Sequence, residues 1–566
     1  MAVRPSPFNT CFCLLVLATT SAKADHMVCE PQAAGSGQTT PLEQVAVKHI
    51  TINNRPIFEE DDKAIWLHYL ANNLHIKTQP HIIENHLSFE KGDTISLDDV
   101  EESERLLRQL DYLRDANVRF EKDCNHQPNG NINVTTWDHW TLYPKINFSR
   151  SGGENKYSYG LKDDNLLGLG IQGNFRYFAD KDRTGYGIKV DAPITYIKHS
   201  ELSLAAFDND DGYRYGIAWR KPFYTLNTTD SYYFDNDHSK QDLHIDQNGD
   251  DENVFIAKRK FFETGYGWSQ GKVDGWTRRW TLGLTASDES FAPIMDSNDV
   301  SLAVPNDRHY IYPWLQYQVI EDDFEVISDV HFIHEKEDHH LGWRRFIRLG
   351  FEADNDDSDK DYAGHLRASI SKGMLVGKHL WFGSASGTVD FGVAEDDYYK
   401  ASAGFEYFYN WTPANKLYVK TEITLSGNNY IDQPITLGGN REDDDNSFGF
   451  SPAAQPTVRG YPSQYQHGNN RWQTTVEARH YPSIELYRLV RVAWVGFIDA
   501  GRASGTENIV SNNEQSGTLA SIGFGLRLAS IRSSGQNVIH IDIAKPLTTG
   551  DNVDSWSISA HAEKKF

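Results

Sequence analysis

From residue 138 to its end the chain repeats one pattern: apolar and polar side chains alternate with a period of two, and no helical spacing interrupts them. In GLGIQGNFRYF (168–178), Leu169, Ile171, Phe175 and Tyr177 share one face, while Gln172, Asn174 and Arg176 share the other. TGYGIKVDAP, ELSLAAFDND, GYRYGIAWRKPF and RWTLGLTASD repeat it, separated by acidic or Asn/Gly segments such as DNDDG (208–212), DQNGDDEN (246–253) and DNDDSDKD (354–361). So long a run of two-faced strands makes either a large soluble β-sandwich or a barrel whose outer face meets lipid. At roughly 27 residues per strand and connection, this stretch supplies about 16 strands, inside the even-numbered range of membrane barrels.

The start of the chain reads as a secretory signal peptide over residues 1–24. It has Arg4, an apolar core from Cys11 to Ala18, and Ala22-Lys23-Ala24 as a small-x-small cleavage signal. Beyond it no apolar run reaches the ~18 residues a spanning helix needs, so a membrane-spanning mature chain must be a closed barrel. Acidic side chains outnumber basic ones 79 to 55, which removes nucleic acid from the partners, since phosphate binding needs clustered positive charge. Cys29 and Cys124 remain after cleavage, and in an oxidising compartment they either pair as one disulfide or stay as two free thiols.

Residues 25–44 form a small-residue and proline-rich leader. Residues 45–137 change register: VAVKHITINN (45–54) alternates as a strand, EEDDKAIWLHYLANNL (59–74) reads as a helix with acids in its first turn, and a second helix covers 96–118 with Ser96 as its cap. VRFEKDC and NINVTTW close the module as two short strands, giving a β-α-α-β-β order and a small α+β unit before the barrel at 138–566. The fold expected is therefore mainly β.

The last strand, SWSISAHAEKKF, places Trp556, Ile558 and the terminal Phe566 on one face, with Lys564 as a charged exception. Aromatics there suit an interfacial girdle, and the segment resembles the C-terminal assembly signal of bacterial outer-membrane barrels. LGGN (437–440), VRGY (458–461), VEARHYP (476–482), VGFIDAGRA (495–503), SIGFGLRL (521–528) and IHIDIAKPL (539–547) follow in an order that resembles the BamA/TamA superfamily of outer-membrane assembly and translocation barrels, the bacterial surface antigen family. FEKGDTISLDDVEESERLLRQLDYLRDANV (89–118) is similar to part of a POTRA domain, the periplasmic unit of that family.

Alternation puts Glu477 and Asp499 on the lumen face of adjacent strands. The resemblance implies that the VRGY loop folds into the barrel, where Arg459 forms forked hydrogen bonds to one or both acids, and Gly460 and Tyr461 shape the turn. It also implies a seam between first and last strands that parts sideways to admit a client strand. Pro144, which cannot donate to a ladder, suits that first strand. The partners implied are unfolded outer-membrane or secreted proteins, outer-membrane lipid and lipopolysaccharide, and periplasmic accessory proteins. The activity implied is insertion of proteins into the outer membrane, or, as the alternative, two-partner-type secretion of a passenger. A single POTRA-like module fits neither subfamily cleanly.

Other chemistry is weakly marked. HFIHEKEDHH (331–340) gathers four histidines without a helical His-x₃-His spacing, so no metal site is expected, and solvated charge is the reading of the acidic loops. GSASG (383–387) carries Ala385 where a nucleophile elbow needs serine, and no phosphate-cradling Gly-Lys-Ser/Thr loop is present. The expectation is a protein without catalytic residues or cofactors.

Overall fold

Residues 45–138 build a three-stranded sheet with helices against it. His49–Arg55 lies parallel to Pro128–Asp138, which pairs antiparallel with Leu113–Lys122, so the last strand of the module is central. The helices are Trp66–Leu74, Pro80–Asn85 and Leu97–Arg108. Proline at the first turn of the second suits its fixed φ. The third starts at a capping box in which the Asp99 carboxylate accepts the Ser96 N–H at 2.8 Å. Ile82, Ile83, Leu87, Val100 and Leu107 pack against Val118, Ile132 and Val134 to form the module's core. The computed structural model describes residues 44–563 other than 60–64, 123–127, 152–153, 295–300, 302, 334, 354–361, 394–396, 440–456, 506–516 and 535–537. The signal peptide, nearly all of the leader, Cys29, Cys124, Lys564 and Phe566 lie outside the described residues.

Two local expectations change. The third helix stops at Arg108 rather than running to 118, although Leu107, Leu110 and Leu113 keep a helical spacing. From Leu113 the chain gains a ladder against Pro128–Asp138, and that pairing outweighs the local pattern. The first helix is described from Trp66 onward, with Glu60, Asp61 and Asp62 of the expected first turn lying outside the described residues, and it buries His68, whose Nε2 lies 2.9 Å from the Tyr487 carbonyl and whose ring stacks on Phe58. Its apolar residues Trp66, Leu67, Leu70 and Leu74 face outward.

From Leu142 onward the strands form a closed antiparallel barrel of 20 strands among the described residues, correcting the expected 16. The excess follows from short connections. Asp210 and Asp211 alone join Ser200–Asn209 to Gly212–Lys221, and Asp274 and Gly275 alone join Asp250–Val273 to Trp276–Pro293. Residues saved in turns become strands. Along Trp276–Pro293, Trp280, Leu282 and Leu284 are exposed while Arg279, Thr281 and Thr285 are buried inside, and the same alternation repeats around the wall. An apolar outside around a polar inside is the surface a lipid-facing barrel needs.

The N-terminal module sits on the barrel end at which Ser557–Glu563 finishes. Its groups meet successive turns of that end: Gln79 N–H donates to Gly168 O at 2.9 Å, Tyr224 Oη to His86 O at 3.0 Å, and Leu226 N–H to Glu102 Oε1 at 2.9 Å. Lys272 pairs with Asp98 at 3.2 Å.

Candidate functional site

The long connection between Asn415–Gly427 and Asn470–His480 enters the lumen from the end opposite the module. Its described parts are pinned by charge. Arg459 donates from Nε and Nη2 to the two carboxylate oxygens of Asp499 at 2.7 and 2.8 Å, a forked pair that lysine cannot reproduce. Its Nη1 reaches Glu477 at 3.0 Å and Asp542 at 3.6 Å, and the guanidinium lies 3.4 Å over the Phe497 ring. Strand alternation delivers these partners: Thr475 and Glu477 face the lumen from one strand, Phe497 and Asp499 from the strand paired with it.

The network is balanced. Arg479 pairs with Glu477 at 2.9 Å and Arg527 with Asp542 at 2.6 Å, so three guanidinium groups meet three carboxylates, the five wall residues buried and Arg459 of the loop largely so. Charges withdrawn from water are tolerated only when paired in this way. Gly460 holds φ +103°, a conformation that favours glycine, and a Cβ there would stand 3.1 Å from Pro546 Cγ. Gly438 and Gly439 let the loop's first limb run against the backbone of Tyr461 and Pro462, with Gly439 N–H donating to Pro462 O at 2.7 Å. Tyr461 is fully buried, and its hydroxyl lies 2.8 Å from Ala520 O and 3.1 Å from Thr548 O.

Two parts of the site escaped the sequence reading. Asp542 sits in IHIDIAKPL, where the outward isoleucines already mark it as lumenal, but nothing local ties it to Arg459. The second is an anchor on a distant wall: Arg308 grips Asp432 of the same long connection through two bonds of 2.8 and 2.7 Å, with Tyr430 stacked on it at 4.4 Å.

A second segment fills the module end of the lumen. Residues 322–343, between Arg308–Glu321 and Arg344–Ala353, fold into a hairpin of Phe324–Ser328 against Lys336–His340. The turn between them crosses to far strands: Val330 packs with Leu380, Phe408 and Tyr418, and Ile333 with Tyr481, Ala493 and Val538. Lys416, Arg479 and Arg491 donate to the carbonyls of Asp329, Val330 and Ile333 at 2.6, 3.3 and 2.9 Å. On the other side Arg108 of the module forks onto Asp338 at 2.9 and 2.7 Å. A continuous set of contacts therefore runs from the module through this hairpin and Arg479 to Glu477 and Arg459.

Among the described residues the barrel closes between Ser557–Glu563 and Leu142–Ser151 over three residue pairs, Ile558 with Arg150, Ser559 with Ser149 and Ala560 with Phe148. The flanking ladders run over seven and ten pairs. Pro144 lies in that first strand, opposite Leu161 on its other side. Trp556 and Ile558 are exposed on the outer face. Inside, a cavity lined by Arg150, Arg176, Lys181, Arg459, Gln464 and Ser557 connects the seam with the locked loop.

Fold and site together define a class: a large lipid-facing antiparallel barrel, plugged by an inward loop locked to its wall and capped by a small α+β module. No protein-family model and no curated protein matches the sequence. Among solved structures the chain is similar to CdiB from Acinetobacter baumannii, at 10% identity and a TM-score of 0.44 over 92% of this chain and 74% of that one. It is also similar to CdiB from Escherichia coli, at 12% and 0.43 over 95% and 93%. BamA from Haemophilus ducreyi lacking POTRA domains 1-3 matches at 11% and 0.39 over 92% and 85%. Likeness at this distance says nothing of activity.

Proposed function

We propose that the protein is an outer-membrane barrel that assists the insertion of other proteins, its α+β module acting as a POTRA-like periplasmic unit that meets unfolded client. The observation that carries this reading is the seam. Among the described residues three pairs hold it where the two flanking ladders have seven and ten, so the junction between first and last strands is less paired than either of its neighbours. Unpaired strand edges recruit other strands. A client hairpin entering there would gain main-chain hydrogen bonds and then leave sideways into lipid. The plugged lumen supports the same route, since passage along the barrel axis is closed by the loop at one end and the hairpin at the other.

The secretion alternative is favoured by a different observation: both plugs are held by side-chain pairs and carbonyl contacts, which a passenger is able to displace. Photoreactive residues placed at 145–150 and 557–561, and in parallel at lumen positions 330 and 461, separate the two in living cells. Diverse β-barrel proteins trapped at the seam support insertion. One secreted protein trapped only at the lumen positions would replace insertion with dedicated secretion.

A further inference from the structure

The lumen hairpin carries a cluster that its role as a plug does not use. His331, in the turn, and Glu337 and His339, on the returning strand, converge so that one donor atom from each lies within 4.8 Å of the others. Glu337 is the centre. Its Oε1 accepts the backbone N–H groups of Val330, His331 and Phe332 at 2.8, 2.9 and 3.1 Å, so the turn fixes the carboxylate. Its Oε2 faces two imidazoles, His331 Nδ1 and His339 Nε2, each at 3.3 Å.

The two carboxylate–imidazole separations match metal geometry. Zinc–nitrogen and zinc–oxygen bonds of about 2.0–2.1 Å at tetrahedral angles put neighbouring donor atoms roughly 3.3 Å apart, whereas a direct hydrogen bond would draw them to about 2.9 Å. Nε2 of His339 is buried, and its polar neighbour is that Glu337 carboxylate. On the far side of His331, Nε2 stands 3.6 Å from the Glu406 carboxylate of the barrel wall. A carboxylate behind a ligating imidazole sets its tautomer and raises its basicity.

We propose that His331 Nδ1, Glu337 Oε2 and His339 Nε2 bind a divalent d-block cation of the zinc class, with a water in the fourth position and Glu406 orienting His331. Two imidazoles and one carboxylate select such an ion over calcium or magnesium, which prefer all-oxygen shells. The ion ties the turn at 329–335 to the strand behind it, so it rigidifies the hairpin that spans the lumen. A hairpin brings these donors together, where a helix would need a His-x₃-His spacing.

The test uses the full-length protein in detergent, purified without a histidine tag and stripped with chelator, then titrated with Co²⁺ and with Zn²⁺ alone. The expected result is one cobalt per chain with the intense visible absorption of a four-coordinate site, bleached by one equivalent of zinc. His339→Ala should lose that spectrum while keeping the heat-dependent mobility of a folded barrel, since the N–H groups of Val330, His331 and Phe332 still hold Glu337. Glu406→Gln should weaken binding by roughly 10–100-fold while retaining the spectrum. Absence of cobalt uptake, or a spectrum that survives in both His339→Ala and His331→Ala, overturns the proposal.

Discussion

At the scale of residues, Arg459 is the contact on which the loop depends. Removing one member of a buried, hydrogen-bonded charge pair costs about 3–5 kcal/mol because its partners are left charged and dry. Arg459→Ala strands Asp499 in this way, so protease should reach the 428–469 segment of an otherwise folded barrel. Arg459→Lys keeps the charge but loses the fork, so it should fall between. If both variants resist cleavage as wild type does, Tyr461 and the Arg308–Asp432 pair hold the loop without Arg459. Gly460→Ala tests the turn separately. With φ at +103° and Pro546 Cγ 3.1 Å from the new methyl, it should loosen the loop by about 1 kcal/mol or more in the same protease assay.

At the scale of elements, the seam and the module's docking are the junctions that the proposed function requires to move. Phe148 and Ala560 face each other across the seam. A Phe148→Cys/Ala560→Cys pair, once oxidised, should abolish insertion activity in cells and reductant should restore it. Unchanged assembly with the bond formed would exclude lateral opening. Docking should depend on pH. Burial lowers the His86 pKa, Lys198 adding to it; burial also holds His139 down at about 4, and burial with Lys198, His86 and Lys221 holds His199 down at about 3. A histidine whose pKa is lowered in the docked state takes up its proton more readily when released. Docking is therefore at full strength above pH 6.5 and weakens as the pH falls toward 4. Amide exchange over 97–108 should accelerate across that interval, and exchange indifferent to pH would show that these histidines do not gate docking. What the sequence made legible follows the same divide. Glu477 and Asp499 were readable because period-two alternation assigns faces within a strand, and Arg459 only through the resemblance carried by VRGY. The Arg308–Asp432 anchor, Asp542 and the crossing hairpin were not, because each joins segments far apart in the chain with no local pattern linking them. The strand number was misjudged for a local reason, two-residue turns where longer loops were assumed.

At the scale of the whole molecule, the hairpin at 322–343 joins the module to the lumen wall. Arg108 and Asp338 are both about nine-tenths buried, and their fork is where the module grips it. Lys416, Arg479 and Arg491 hold the opposite side to the wall. Coupling of this kind needs an element with two arrangements that both ends bias, and the hairpin qualifies if releasing the module's grip shifts it out of the lumen. Arg108→Ala leaves Asp338 buried and unpaired at a cost of about 3 kcal/mol or more, enough to shift a closed-to-open ratio by about a hundredfold. Single-channel recordings in planar bilayers should then show frequent large openings where the wild type stays closed. Asp338→Asn should open less often, since it removes the buried charge yet keeps an acceptor for Arg108. Combined with Arg459→Ala, the effects should exceed their sum, because Arg479 and Glu477 connect the two plugs and neighbours in one network are not independent. Additive openings would mean that hairpin and loop close the two ends separately, and that the module governs only the end it covers.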